Sequence, residues 1–267
     1  MCVEFIERAW NAYKRNFWQI VCAIILIYGI LIGLAIVCFM PLFGAILLSI
    51  NIGVGNVQNI LIQAITNPLV LFLTSLGLLV ICIAGAELGA GLTKLYADAL
   101  KGRVNIEAMF FIIKKKFWTI LLANFLRGLI IIGVFALLLS PYLIFLLTKS
   151  YYISAFFLIV GVASAFLLSL LFSLVNQAVV IDNFNAIESI KKSVEIIKSN
   201  YLQFLVLFSI LMVLSLITSF LEWVGMLINL FLITPITMLS FTSFYLEKRK
   251  KPLKRRLKKK SVKRKKR

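Results

Sequence analysis

Six stretches of this chain stay apolar for longer than any soluble fold can use. A bilayer span needs about 20 mainly apolar residues, whereas an ordinary soluble helix averages about 11–12. The stretches are Phe17–Phe39, Pro68–Ala97, Phe117–Leu147, Ile153–Ile181, Tyr201–Leu221 and Trp223–Tyr245. Hydrophobic residues make up 62% of the 267, against about 45–50% in a soluble domain, even though 15 of the last 21 residues are Lys or Arg. The sequence therefore predicts an all-α, polytopic integral membrane bundle of six transmembrane helices over residues 1–246. A polybasic tail at 247–267 follows, too charged to build a core and expected to be disordered. Several runs exceed a perpendicular crossing, so tilt is expected, with kinks at Pro68, Pro141 or Pro235.

Threading the runs through a bilayer puts 27 of the 29 cations on one side. Three precede Phe17, six lie between Lys94 and Lys116, three between Lys191 and Lys198, and 15 follow Glu247. The other side receives Lys149 alone, and Arg127 falls inside a run. Cytoplasmic loops carry such a Lys/Arg excess, so the cell membrane is expected, with both termini cytoplasmic. No apolar segment precedes Phe17, so the first span is expected to stay as an uncleaved anchor.

Each odd-numbered span is preceded by a segment suited to the membrane surface. The third is clearest: Asn185 and Glu188 have the spacing of a capping box, and Ile187, Ile190, Val194 and Ile197 recur at helical intervals. Such a helix is expected to lie in the interface with that stripe toward the acyl chains. Shifting the first segment by 184 aligns Glu4 with Glu188, Lys14 with Lys198, Asn16 with Asn200 and Gln19 with Gln203. Shifting it by 100 aligns Glu7 with Glu107, Lys14 with Lys114, and Phe17-Trp18 with Phe117-Trp118. A threefold internal repeat is therefore expected, with units at about 1–103, 104–184 and 185–246; shared membrane-anchor chemistry is the alternative. Residues 40–67 carry no charge and read either as an outer-leaflet surface helix, with Val57, Ile60, Leu61, Ala64 and Ile65 on one face, or as a re-entrant loop.

The segments Ala9–Gln19 and Asn185–Phe204 carry a further mark: Ala186, Ser193 and the ending Lys198-Ser-Asn200 just before a span. In these the chain up to about Tyr245 resembles a prokaryotic membrane family. That family includes the membrane domain attached to some glycerophosphoryl diester phosphodiesterases and free-standing relatives of unknown activity. The resemblance implies a six-span, repeat-built domain with no catalytic residues to carry over. The phosphodiesterase barrel itself has no counterpart here.

An enzyme is not expected. Histidine is absent, and no nucleophile with a base, phosphate loop or carboxylate pair is visible. No cofactor or metal is expected either. Cys22, Cys38 and Cys82 lie in apolar runs and read as small hydrophobes.

The sharpest candidate site is Glu87 with Arg127. Both lie 10 or 11 residues from the charged end of a span, about 15 Å deep at 1.5 Å per residue. A charge at that depth costs about 2.5–3.5 kcal/mol on insertion scales and normally faces the bundle interior, paired. The second and third spans are consecutive, so Glu87 is expected to pair with Arg127. Gly91, Lys94 and Asp98 continue the Glu87 stripe, Asn124 shares a face with Arg127, and Ser169, Ser173 and Asn176 form a stripe on the fourth span. These groups read as interhelical glue or as the wall of a polar cavity for a solute, ion or headgroup. In the tail, Lys254, Arg255, Arg256, Lys258, Lys259 and Lys260 suit anionic lipid headgroups, RNA phosphates, or a topology signal without a partner.

Three functions remain open at this level. The first is a non-catalytic membrane-organising protein acting through lipids and other membrane proteins. The second is a small-solute or lipid transporter using the Glu87/Arg127 cluster, and the third an insertase-like factor with a ribosome-binding tail.

Overall fold

The computed structural model describes residues 2–51 and 66–249. Among these the chain is helical apart from short turns, and six helices are long and apolar enough to cross a membrane. This is an all-α, multi-pass membrane protein. Helix α1 (Cys2–Arg15) precedes α2 (Phe17–Asn51), and α3 (Pro68–Leu100) and α4 (Ile106–Leu147) follow. The fourth span is split into α5 (Tyr151–Leu171) and α6 (Val175–Ile181). Helix α7 (Ala186–Ser199) leads into α8 (Tyr201–Ser219), and the last span runs as α9 (Glu222–Ile228), a π-helical turn at Asn229–Ile233 and α10 (Thr234–Lys248).

Several boundaries differ from the sequence reading. The first helix does not end at Phe39; it continues through Pro41 to Asn51, because the stretch stays apolar as far as Ser49. The second surface segment is not a separate helix but runs unbroken into the third span, giving 42 residues in α4. The reason lies at one position. Asn16 and Asn200 each turn their side-chain amide back onto the carbonyl four residues earlier, Ala12 at 2.8 Å and Ile196 at 3.0 Å. Such a bond competes with regular helix and accompanies the break at both places, although Asn124 makes one to Ile120 within unbroken α4. The second copy has Lys116 there, which cannot compete in this way.

Helix α7 packs a second face into protein, while of the stripe expected toward the acyl chains Ile190 and Val194 are half-buried and Ile197 is buried. Ile187 is exposed, and the fully buried positions are Ala186, Ser189, Ser193, Ile196 and Ile197. That face packs on α4 and α6, so its small hydroxyls lie inside protein and only its flank is left for lipid. Helix α1 packs likewise on α10 and α8. Phe5 meets Phe244 edge-on at 5.3 Å, and Phe244 lies 5.2 Å from Phe204.

Burial follows the three-way register. Ala9, Met109 and Ser193 are buried, as are Ala12, Ile112 and Ile196, then Ile20, Ile120 and Phe204, then Ala23, Ala123 and Leu207. Trp18, Trp118 and Leu202, also in register, are all highly exposed, as lipid-facing anchors are.

The described residues form two compact units, one of Met1–Ile20 with Ala90–Arg267 and one of Val21–Gly89. In the smaller unit α2 and α3 approach so closely that a Cβ on Gly77 would stand 2.7 Å from that of Cys38. In the larger, α4 and α5 form a hairpin, with Phe145 stacked on Phe157 at 5.7 Å. Its turn passes through Lys149 in the left-handed region, at φ 59. The expected outer-leaflet helix, Val57 to Ile65, and the tail residues Lys254, Arg255, Arg256, Lys258, Lys259 and Lys260 lie outside the described residues.

Candidate functional site

The apolar spans leave few places for polar chemistry, and the larger unit gathers most of it at one end. There the ends of α3, α6 and α10 meet the starts of α2, α4 and α8. Helix α3 closes on Gly102, at φ +79, with the Arg103 amide donating to Asp98 and the Gly102 amide to Ala99. This Schellman-type cap leaves the Ala99 carbonyl open on one side. The Arg15 guanidinium donates to it at 3.0 Å and the Asn16 amide at 3.3 Å. A Cβ on Gly102 would meet Arg15 at 3.1 Å, so this glycine serves both the turn and the cation's approach.

Two further ties close the same end. The Tyr245 hydroxyl donates to Asp182 at 2.6 Å, and Arg249 pairs with the other oxygen of that carboxylate. Arg8 pairs with Glu247 at 3.0 Å. Lys248 is buried 3.4 Å from Glu247, with its ammonium over the Phe5 and Phe244 rings. Sequence reasoning passed over Asp182, Tyr245, Arg249, Arg8 and Glu247. The signal was present: the chain's two aspartates, Asp98 and Asp182, each stand at the end of an even-numbered span.

Within the spans the expected residues fall into separate groups. Glu87 is buried on α3, and neither carboxylate oxygen has a hydrogen-bond partner among the described residues. Lys94 pairs with Asp98 at 2.9 Å, toward the charged end of the same helix. Between them, a Cβ on Gly91 would fall within 2.8 Å of both Met109 and Ile113, so α3 and α4 touch closely here. Asn124 donates to the Ile120 carbonyl at 3.0 Å and to Asn176 at 3.3 Å. The structure thus joins α4 to α6 through the two asparagines. Arg127 lies half-buried three residues beyond Asn124, in register with the buried Ile27 and Leu211. Glu87 belongs to the smaller unit and Arg127 to the larger.

The expected stripe of Ser169, Ser173 and Asn176 is broken, because the helix stops at Leu171 and restarts at Val175. Ser193 of α7 spans the gap. Its hydroxyl donates to the Leu171 carbonyl at 2.6 Å and accepts from the Leu174 amide at 3.2 Å. Ser193 was visible in the sequence as a recurring mark; its partners were not.

Among the described residues no three His, Cys, Asp or Glu side chains lie together as metal ligands would. A cleft of about 490 Å³ lies in the larger unit, between α1, the end of α3 and α10. Comparison with protein families, with curated proteins and with solved structures finds no match to this chain.

Proposed function

We propose that this chain is a non-catalytic, membrane-organising protein of the cell membrane, with both termini in the cytoplasm, that engages anionic lipid headgroups and partner membrane proteins at its charged end. A single observation carries the reading: the polar ties of the larger unit gather where the span ends meet, and the sequence places 27 of 29 cations on that side. Lys/Arg excess attracts the anionic leaflet by about 1 kcal/mol per cation near the surface. The test is to extract the protein in a lipid-preserving copolymer and analyse the lipids that accompany it. The full chain should carry anionic lipids above their bulk fraction, and a chain stopped after Arg249 should carry fewer. Bulk proportions in both would end the proposal.

A second reading, transport of a lipid or small solute, is favoured by Glu87. A buried carboxylate without a hydrogen-bond partner among the described residues is costly in a span and marks a functional position by default. Liposomes carrying the protein should then move a fluorescent lipid between leaflets faster than empty ones, and Glu87→Gln should slow that movement at least fivefold. Equal rates in all three preparations would remove this reading.

A further inference from the structure

The cleft at the charged end has walls of contrasting chemistry. Helix α1 contributes Arg8, Asn11 and Arg15, spaced 3 and 4 apart along one face, and α10 contributes Ser243 and Glu247. Leu246 adds an apolar side. A volume of about 490 Å³ is within the range of small-molecule sites, about 300–1,000 Å³, and far more than one bare anion fills.

The charge balance favours an anion. Glu247 is the only carboxylate in the lining, and it is already shared between Arg8 at 3.0 Å and the buried Lys248 at 3.4 Å. Two cations, Arg8 and Lys248, therefore share one carboxylate, and Arg15 adds a third positive charge to the same end. Lys248 has no hydrogen-bond partner among the described residues, so its field is only partly cancelled. Arg15 donates to Ala99, and a guanidinium has five donors in all, which leaves some for a ligand. A single guanidinium can bind phosphate oxygens in pairs, and this face carries two.

The rest of the lining does not suit a bare phosphate. The Asn11 amide and the Ser243 hydroxyl accept hydrogen bonds as well as donating them, and the Glu247 carboxylate has further lone pairs to accept them, as a hydroxyl-bearing ligand requires. Arg15 stands two residues before α2 and Leu100 ends α3, so the cleft opens at the level where spans emerge. We infer that this cleft is a binding site for a phosphorylated polyol, its phosphate held by Arg8 and Arg15 and its hydroxyls by Asn11, Ser243 and Glu247. The site deepens the proposed headgroup-binding function and rests on it, but it is a discrete pocket that does not need the tail.

The same chemistry is offered by a lipid headgroup or by a soluble phosphate ester, and the experiment separates them. The full chain, in nanodiscs of phosphatidylcholine, is titrated with soluble inositol phosphate, and binding is followed by calorimetry. Parallel nanodiscs contain phosphatidylinositol, with retained lipid counted by native mass spectrometry. Saturable binding in the first arm assigns a soluble ester; retention in the second alone assigns a lipid headgroup. In either case R8Q and N11A should weaken binding tenfold or more, N11A without changing the melting temperature, since Asn11 is exposed in the open cleft. Inorganic phosphate should bind far more weakly than the polyol ester.

The inference is overturned if neither ligand saturates, if both variants bind like the parent, or if inorganic phosphate matches the polyol. A chain stopped after Arg249 should keep the site while losing bulk anionic lipid. Loss of enrichment with the site intact therefore counts against the broader reading only, and the converse against the site only.

Discussion

Pro235 explains why a tyrosine near the N-terminus matters to the last span. Proline has no N–H, so it offers nothing to the carbonyl four residues back, which is Phe231. The chain responds with a π turn at Asn229–Ile233, and the Tyr13 hydroxyl donates to the Phe231 carbonyl at 2.5 Å. Burial pushes the Tyr13 phenol above its ordinary pKa, which keeps it a protonated donor across physiological pH. Asn229 exchanges hydrogen bonds with Ser215 of α8 at 2.9 and 3.3 Å, so the turn is anchored on two sides. Tyr13→Phe keeps the ring and deletes one donor, leaving a buried carbonyl short of a partner at a cost of about 1–3 kcal/mol. Thermal melting in detergent should fall by several degrees; an unchanged midpoint would show that the bond contributes nothing. Ser193→Ala should be similarly costly, because one hydroxyl serves both Leu171 and Leu174 across the break in the fourth span. Neither role was legible in the sequence. Tyr13 and Phe231 are 218 residues apart, and local pattern carries no information about such a pairing. Phe172-Ser-Leu174 contains no Gly or Pro to announce a break.

At the scale of elements, hydrophobicity told where spans are but not where helices start and stop. Apolar runs fix the number of crossings, since length in lipid follows from bilayer thickness. They do not mark a boundary inside apolar sequence, which is why α2 overruns Phe39. The segment boundary that sequence could have read was the asparagine at 16 and 200, because a side-chain amide bonding back four residues is a local effect. This makes the difference between copies testable. Lys116→Asn should allow a break before Phe117, seen as faster hydrogen exchange at residues 114–118. Exchange equal to the parent would refute the role assigned to asparagine. Turns give the opposite sign of effect. Lys149 adopts φ 59 and Glu222 φ 48, a region where a Cβ costs about 1–2 kcal/mol. Lys149→Gly should therefore raise the melting temperature modestly, part of the gain being returned by the freer unfolded chain. Gly91→Ala should lower it, as the new methyl would overlap Met109 and Ile113 and overpacking costs about 1–3 kcal/mol.

For the whole molecule, charge separates two questions that the tail alone would confuse: which way the protein faces, and what it binds. Residues 250–267 hold thirteen of the 27 cations that the positive-inside reading assigns to one side, so removing them would leave fourteen there against Lys149 alone. Orientation is set by Lys and Arg in short loops close to the spans, and those fourteen are the ones nearest the membrane. A chain stopped after Arg249 should therefore keep its direction, with reporters fused at position 249 active only in the cytoplasm. The Arg249–Asp182 and Arg8–Glu247 ties precede the cut, so folding of the charged end should survive as well. What the truncation should remove is attraction to an anionic surface, which falls off within a Debye length of about 8 Å at physiological salt. Membrane retention after an alkaline carbonate wash should be unchanged, while anionic lipid enrichment should drop and become less sensitive to added salt. If the shortened chain instead inverted, the tail would be a topology signal. The proposed contact with lipid headgroups would then lose its main support.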